Sequence, residues 1–310
     1  MFAILYALGP IFLLVLLGAL LRRIDFPGAS FWPMAEKLTY FMLFPSLLIS
    51  KLAVVSFEQV DVAALAITIV GALLAVTLLL LLMAPAFAHL FGLSGPGFTS
   101  LYQGAIRFNT YVALAAAVQL FGDAGSAHAA VTIAIMIPLI NVLCITIFAL
   151  KAAEQRPTLG QTMGQLVTNP LILGCTIGIV LNLTGIGLPY WLTPLFELLG
   201  KPALPLGLLA VGVGLKLSVL HHGLWPLLIS SGAKFMLLPL SVALLGQALG
   251  LTGVGLQVVV LFMAMPTAPS AFILAKQLGG DADLMATLIT GHTLLAMLLL
   301  PFVMLLVGGL

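Results

Sequence analysis

Two short stretches hold the residues of this sequence least suited to hydrocarbon. Arg107-Phe108-Asn109-Thr110 and Pro266-Thr267-Ala268-Pro269-Ser270 set cationic, amide and hydroxyl side chains inside apolar runs. Two prolines three apart remove two backbone donors and clash with the preceding turn, so a continuous helix through 266–269 is not expected. Asn and Thr compete for backbone hydrogen bonds and favour caps over helix interiors, which predicts a matching break at 108–110. A half-helix starting near Asn109 and another near Thr267 to Ser270 would turn free N–H groups and positive dipole ends toward one centre, an arrangement that suits an anion. Arg107 and Lys234, the two charged residues inside apolar spans, add formal positive charge.

The nine acidic residues (Asp25, Glu36, Glu58, Asp61, Asp123, Glu154, Glu197, Asp281 and Asp283) fall in loops or at span ends. No mid-membrane carboxylate is therefore expected, which argues against a carboxylate-based Na+/H+ exchanger. Na+ held by carbonyls and hydroxyls, or a proton on Lys234 or His292, stays open. Plainer readings exist for each residue. Arg107 can snorkel to an interface; Lys234, some ten residues into its span, can do so less easily and reads as a site or gating residue. Asn141 and His292 suit interhelical hydrogen bonds, Pro45 and Pro138 plain kinks, and Gly212/Gly214 helix packing. Cys144 and Cys175 read as small buried hydrophobes.

The elements that position these residues follow from composition. Of 310 residues, 11 are Lys or Arg and nine Asp or Glu, 6% charged against 62% hydrophobic, where a soluble chain carries about 25% charged residues. Mean hydropathy is +1.27. Such a chain cannot cover itself with polar surface, and a soluble protein is excluded. Helices are forced in a bilayer, and at about 20 residues per span the length holds about ten, leaving no soluble domain. Apolar windows lie at 3–21, 37–55, 62–85, 99–120, 128–150, 167–184, 203–220, 224–249, 255–278 and 285–307. Arg22-Arg23 follow the first apolar run instead of preceding it, so that span reads as retained, not as a cleaved signal. Arg22, Arg23, Lys37, Lys151, Arg156, Lys216 and Lys276 cluster at the loops after odd spans, which predicts those loops in the cytoplasm and both termini on the other side. Trp32, Trp191 and Trp225 flank spans as interface anchors.

Nothing here would hold a nucleic-acid backbone. The two Cys, five His and peripheral acids form no metal-ligand or nucleophile–base spacing, so neither a metal, a cofactor nor an intramembrane enzyme is expected. A channel would show symmetric pore-lining rings.

The chain also repeats itself. Sliding residues 109–124 by 158 positions lays NTYVALAAAVQLFGDA over TAPSAFILAKQLGGDA, and Ala113, Ala117, Gln119, Leu120, Gly122, Asp123 and Ala124 meet identical residues. A shift of 160 lays Pro10 on Pro170, Leu13 on Leu173, Gly18 on Gly178 and Leu21 on Leu181. Spans one to five (residues 1–160) therefore read as repeated in six to ten (161–310). Five is odd, so the second copy enters the membrane from the opposite face. Two broken spans in corresponding halves of an inverted repeat are a pointer to a substrate site. The expected fold is thus all-α and polytopic: ten transmembrane helices in two inverted five-helix repeats, with helices 4 and 9 broken.

Four stretches in this order, GPIFLLVLLGALLRR, FWPMAEKLTYFMLFPSLLISKLA, GAIRFNTYVALAAA and AMPTAPSAFILAKQLGGD, resemble the auxin efflux carrier family of bacterial permeases, relatives of the plant PIN-FORMED carriers. The resemblance runs along essentially the whole chain. It implies broken helices 4 and 9 that cross at the substrate site, a scaffold of helices 1, 2, 6 and 7, a transport unit of helices 3–5 and 8–10, elevator-like alternating access, and often a dimer. It also implies organic-anion cargoes such as malonate, malate or indole-3-acetate. Carried over by residue, the family's motif falls on Asn109, Thr110 and Tyr111, and its second crossover on Pro266, Thr267, Pro269 and Ser270. Plant members have proline before the span-four Asn, where this chain has Phe108. Their long cytoplasmic loop is absent, since residues 151–166 barely connect two spans. The expectation is a secondary transporter of a small carboxylate in a cytoplasmic membrane. Asn109, Thr267 and Ser270 would bind the carboxylate, Tyr111 would pack on its body, and Arg107 and Lys234 would tune charge. A sodium-coupled symporter of the bile-acid type is the alternative.

Overall fold

The computed structural model describes residues 2–54, 60–152, 167–216 and 223–307, with residues 160, 164, 218 and 220 between them. Glu58, Glu154 and Arg156 lie outside the described residues. The described residues are mostly helical, with no strand among them. The helices are α1 (Phe2–Arg23), α2 (Phe31–Leu38), α3 (Phe44–Leu52), α4 (Val62–Phe91), α5 (Gly95–Ile106), α6 (Thr110–Lys151) and α7 (Pro170–Leu183). They continue with α8 (Thr193–Gly200), α9 (Ala203–Gly214), α10 (Leu224–Gly232), α11 (Leu238–Ala248), α12 (Gly253–Met263), α13 (Ser270–Gln277) and α14 (Ala282–Val307). π-Helical turns at Thr39–Leu43 and Ala233–Leu237 join α2 to α3 and α10 to α11. Six helical stretches are long and apolar enough to cross a bilayer: Tyr6–Arg23, Val62–Phe91, Gly95–Lys151, Thr193–Gly214, Leu224–Ala248 and Ala282–Val307. Together with the family findings below, this is an all-α, multi-pass membrane protein.

Polar side chains set the helix starts. Asp61 Oδ1 accepts from the Ala64 N–H at 2.9 Å to begin α4, Ser94 Oγ from Gly97 N–H at 3.1 Å to begin α5, and Asp281 Oδ1 from Leu284 N–H at 2.9 Å to begin α14. Each satisfies a donor that the helix itself cannot. Between the fourth and fifth apolar windows only Gly122 leaves helical geometry (φ 60°, ψ −137°), a conformation open to glycine. One residue therefore turns α6 where the sequence suggests a longer loop.

α1 packs along α9, α3 along α7 and α8, and α6 along α12, α4 and α5. The closest approaches run over glycine. A Cβ on Gly18 would fall on the Leu209 carbonyl oxygen and one on Gly212 on the Val15 carbonyl oxygen, so α1 and α9 touch backbone to backbone. In α7, a Cβ on Gly178 would sit 2.7 Å from Leu52 Cβ of α3. Small residues at such crossings let helices gain dispersion contacts where lipid offers no hydrophobic drive.

Two positions depart from the sequence reading. Trp32 is buried, its Nε1–H donating to the Phe26 carbonyl at 3.3 Å, and so is not an interface anchor, whereas Trp191 and Trp225 are exposed as expected. Glu36 is not at a loop: the helix begins at Phe31, six residues before the second apolar window, because Pro33 is tolerated in the first turn of α2.

Candidate functional site

Both predicted interruptions are present. α5 ends at Ile106 and α6 begins at Thr110; α12 ends at Met263 and α13 begins at Ser270. The two gaps cross, joined by the Asn109 N–H donating to the Pro266 carbonyl at 2.7 Å. Phe108 and Phe262 meet beside the crossing in a tilted contact with ring centroids 5.5 Å apart.

At the first gap, Asn109 caps α6. Its Oδ1 accepts from the N–H groups of Tyr111 at 3.1 Å and Val112 at 3.3 Å. Two of the N–H groups that the sequence reading left free for a ligand are therefore occupied. What remains is the Asn109 Nδ2, which has no hydrogen-bond partner although the side chain is 1% exposed. Beside it, Arg107 Nη2 donates to Ser270 Oγ at 3.5 Å, and the guanidinium lies near the buried Cys144 thiol. At the second gap two N–H groups in the first turn of α13 also have local acceptors, Ala271 to Ala268 O and Phe272 to Pro269 O, each at 3.0 Å. Side chains thus supply hydrogen-bonding capacity here, and the helix ends add their field.

The residues that carry these groups border a cavity of about 550 Å³. Arg107, Asn109, Thr110, Tyr111, Pro269 and Ser270 line it. Its deep end is buried at Phe108 and Asn109, and its rim is exposed at Glu36, Lys37, Ile273 and Gln277. Tyr111 lies on its wall in a T-shaped contact with Phe44 (centroids 4.9 Å), and its ring covers Gly207 of α9, where a Cβ would be 2.8 Å away.

Three residues expected at the site do not line the cavity. Pro266 supplies the carbonyl that ties the crossing. The Thr267 hydroxyl donates to the Gly104 carbonyl at 2.8 Å and sits 2.8 Å from His292 Nδ1. With its one proton committed to Gly104, Thr267 accepts from Nδ1–H, which assigns the histidine tautomer. Lys234, 1% exposed, sends Nζ behind the crossing to the Arg107 carbonyl at 2.8 Å. Their contacts hold the break, away from the cavity lining. Thr267→Val is expected to orphan Gly104 O and His292 Nδ1–H and to lower stability by about 1–3 kcal/mol, with Thr267→Ser close to wild type; thermal unfolding in detergent checks both.

Other lining residues were missed or differently assigned. Tyr40 and Asn169 stand on the wall, and Asn141, Glu36 and Gln277 also line it. Asn169 carries a readable signal, an Asn-Pro pair at a helix start, and it caps α7 as Asn109 caps α6, through Leu171 and Ile172 N–H. Asn141 reads as an interhelical residue because nothing in its apolar context announces a cavity. Among the described residues, no group of three or more His, Cys, Asp or Glu could hold a metal.

A helical membrane protein with two interrupted helices crossing at a deep, partly polar cavity has the construction of a membrane transporter. The comparison with known families agrees: residues 151–304 match the family described as "Membrane transport protein", which is the auxin efflux carrier-like family. The part of the chain that resembles this family holds Lys234 and the second interruption. The chain is also 30% identical over 139 residues to a protein of Methanothermobacter thermautotrophicus (strain Delta H) named "Uncharacterized transporter". The match covers 45% of this chain and 46% of that protein, so it spans less than half the length of the relative. Both likenesses point to transport and not to catalysis.

Proposed function

We propose that the protein is a secondary transporter that moves a small organic anion, a mono- or dicarboxylate, across a cytoplasmic membrane by elevator-type alternating access. The observation that carries this reading is the buried, unpartnered Asn109 Nδ2 with the Arg107 guanidinium beside it, where the two helix gaps cross. A carboxylate accepts through two oxygens, and in a low-dielectric pocket a charge-assisted pair of donors gives it both affinity and orientation. Ser270, already beside Arg107, and Thr110 complete the polar floor. Tyr111 and the apolar wall take the body of the substrate. Pro266, Thr267 and Lys234 hold the crossing in shape.

The inverted repeat is part of the proposal. Gly18 and Gly178, 160 residues apart, lie at two matching crossings, α1 on α9 and α7 on α3. These pairs form a group of helices 1, 2, 6 and 7 suited to a fixed scaffold, and the helices carrying the gaps form the moving unit. Arg107 and Asn109 ride on that unit, while Phe44 and Gly207, which touch Tyr111, belong to the scaffold. The cavity opens toward Glu36, Lys37 and Gln277, the end rich in Lys and Arg. Under the positive-inside rule that end is cytoplasmic, which makes this the inward-open state.

Thermal unfolding of the detergent-purified protein across a panel of mono- and dicarboxylates tests the reading. A ligand at 100 times its Kd adds about 2.7 kcal/mol, so at least one carboxylate is expected to raise the Tm while its amide analogue does not. A flat response across the panel would contradict an anionic substrate.

A further inference from the structure

Behind the cavity, three carbonyls at three-residue steps along α5 and its C-cap Arg107 each accept a side-chain donor from a different element. Ser230 Oγ of α10 donates to Leu101 O at 3.1 Å, Thr267 Oγ1 of the second gap to Gly104 O at 2.8 Å, and Lys234 Nζ of the π-helical turn to Arg107 O at 2.8 Å. The last carbonyls of a helix lack partners within it and carry its negative dipole end. In transporters built on broken helices, such ends and unwound carbonyls are where coupling cations bind. Here the place at the end of α5 is taken by a primary amine belonging to the chain.

Several features make this a built arrangement. The π-helical turn adds a residue to the helix and shifts its register, and Lys234 lies within that turn. Gly104 lets α5 close on this region: a Cβ there would be 2.6 Å from Ser230 Oγ and 2.9 Å from Leu288 Cδ1. The groups near the amine are Arg107 of the first gap, Cys144 of α6 and His292 of α14. No carboxylate accompanies it; the ion pair among the described residues is Lys51 with Asp123, on the surface. A buried ammonium without a counter-ion is costly in a membrane, and the helix end and its carbonyl are what balance it.

We propose that the protonated amine of Lys234 occupies the cation position at the end of α5, so that substrate binding requires no sodium ion, and that it acts as a positioning residue by fixing the Arg107 backbone. This rests on the transporter reading above and bears on the sodium-coupled alternative. If a free cation were needed, it would have to displace Lys234 from its carbonyl.

The test has one arm that needs no carboxylate. Thermal unfolding of wild type and Lys234→Ala is measured in choline chloride, sodium chloride and n-propylammonium chloride, the last matching the atoms removed. Wild type is expected to show the same Tm in choline and sodium. Lys234→Ala is expected to lose stability in choline and to recover at least half of the loss in n-propylammonium, but not in n-propanol. A role as plain filler would instead be rescued equally by the alcohol, and that result overturns the proposal. In the second arm, wild-type Kd for a carboxylate that stabilises the protein is expected to agree within twofold between sodium and choline; tenfold tighter binding in sodium overturns it. If Lys234→Ala does not fold, Lys234→Met, of similar length, takes its place, with at least tenfold weaker carboxylate binding expected and unchanged binding counting against the proposal. Failure of every carboxylate in the second arm would sink the substrate assignment alone, because the amine rescue is read without substrate.

Discussion

Asn109→Asp is expected to leave the protein folded and to weaken carboxylate binding at least 100-fold. The substitution is nearly isosteric and retains the Oδ1 that caps α6 through Tyr111 and Val112; Asp is as good a cap as Asn and favours the positive end of a helix. What changes is the other atom. Nδ2, a buried donor without a partner, becomes an anionic oxygen facing the substrate carboxylate. The loss of a hydrogen bond to a charged group is about 1.5–3 kcal/mol, and two like charges about 4 Å apart add about 4 kcal/mol at an effective dielectric near 20. Each 1.4 kcal/mol is tenfold in Kd, so 100-fold is a lower bound. Titrating the Tm with carboxylate, or equilibrium binding of a labelled one, reads the loss. Asn109→Ala separates the two roles of the residue, since it removes the cap as well and lowers the unliganded Tm by an amount equivalent to about 1 kcal/mol. Wild-type affinity in Asn109→Asp would remove Asn109 from the site.

Gly212→Val is expected to prevent accumulation of folded protein. The added Cβ would fall on the Val15 carbonyl oxygen, with Ala19 N 2.9 Å away, so neither helix can yield by moving a side chain. Relief requires α1 and α9 to separate along a crossing that has no other filling. Overpacking of a core costs about 1–3 kcal/mol even when side chains can adjust, and here backbone must move, in a fold whose whole margin is about 5–15 kcal/mol. Gly18→Val, against Leu209 O, is expected to behave the same way. Gly214→Val, two residues on and with nothing within 4 Å of a Cβ, is the matched control and should purify as wild type. Size-exclusion profiles in detergent distinguish the three.

The broad architecture was legible because its causes are local. A bilayer demands helices from apolar runs, prolines 266 and 269 cannot continue one, and an Asn at position 109 announces a cap; the breaks appear within a residue or two of where those rules place them. The roles of individual polar atoms were not legible, because they depend on what sits across the crossing. Thr267 looks like a ligand-binding hydroxyl until Gly104 and His292, 163 and 25 residues away in sequence, are seen to occupy it. Lys234 looks like charge for the substrate until its amine is found on the far side of the Arg107 backbone. Glu36 and Trp32 were misplaced for one shared reason: a hydropathy window stops at the first charged residue, whereas α2 continues outward through Glu36 and Trp32 to Phe31. Asn169 announces a helix cap through its Asn-Pro pair, but that it and Tyr40 reach the cavity wall could be found only from the packing.

The central claim is that the cavity at the crossed helix gaps carries a carboxylate through the membrane. Counterflow in proteoliposomes tests it most directly. Vesicles containing the purified protein are loaded with an unlabelled carboxylate that raises the Tm, then diluted into a trace of the same compound labelled. The account predicts transient accumulation of label in wild-type vesicles, absent in Asn109→Asp vesicles holding the same amount of folded protein. Label that never exceeds the level of protein-free vesicles, or that accumulates equally with Asn109→Asp, would contradict it.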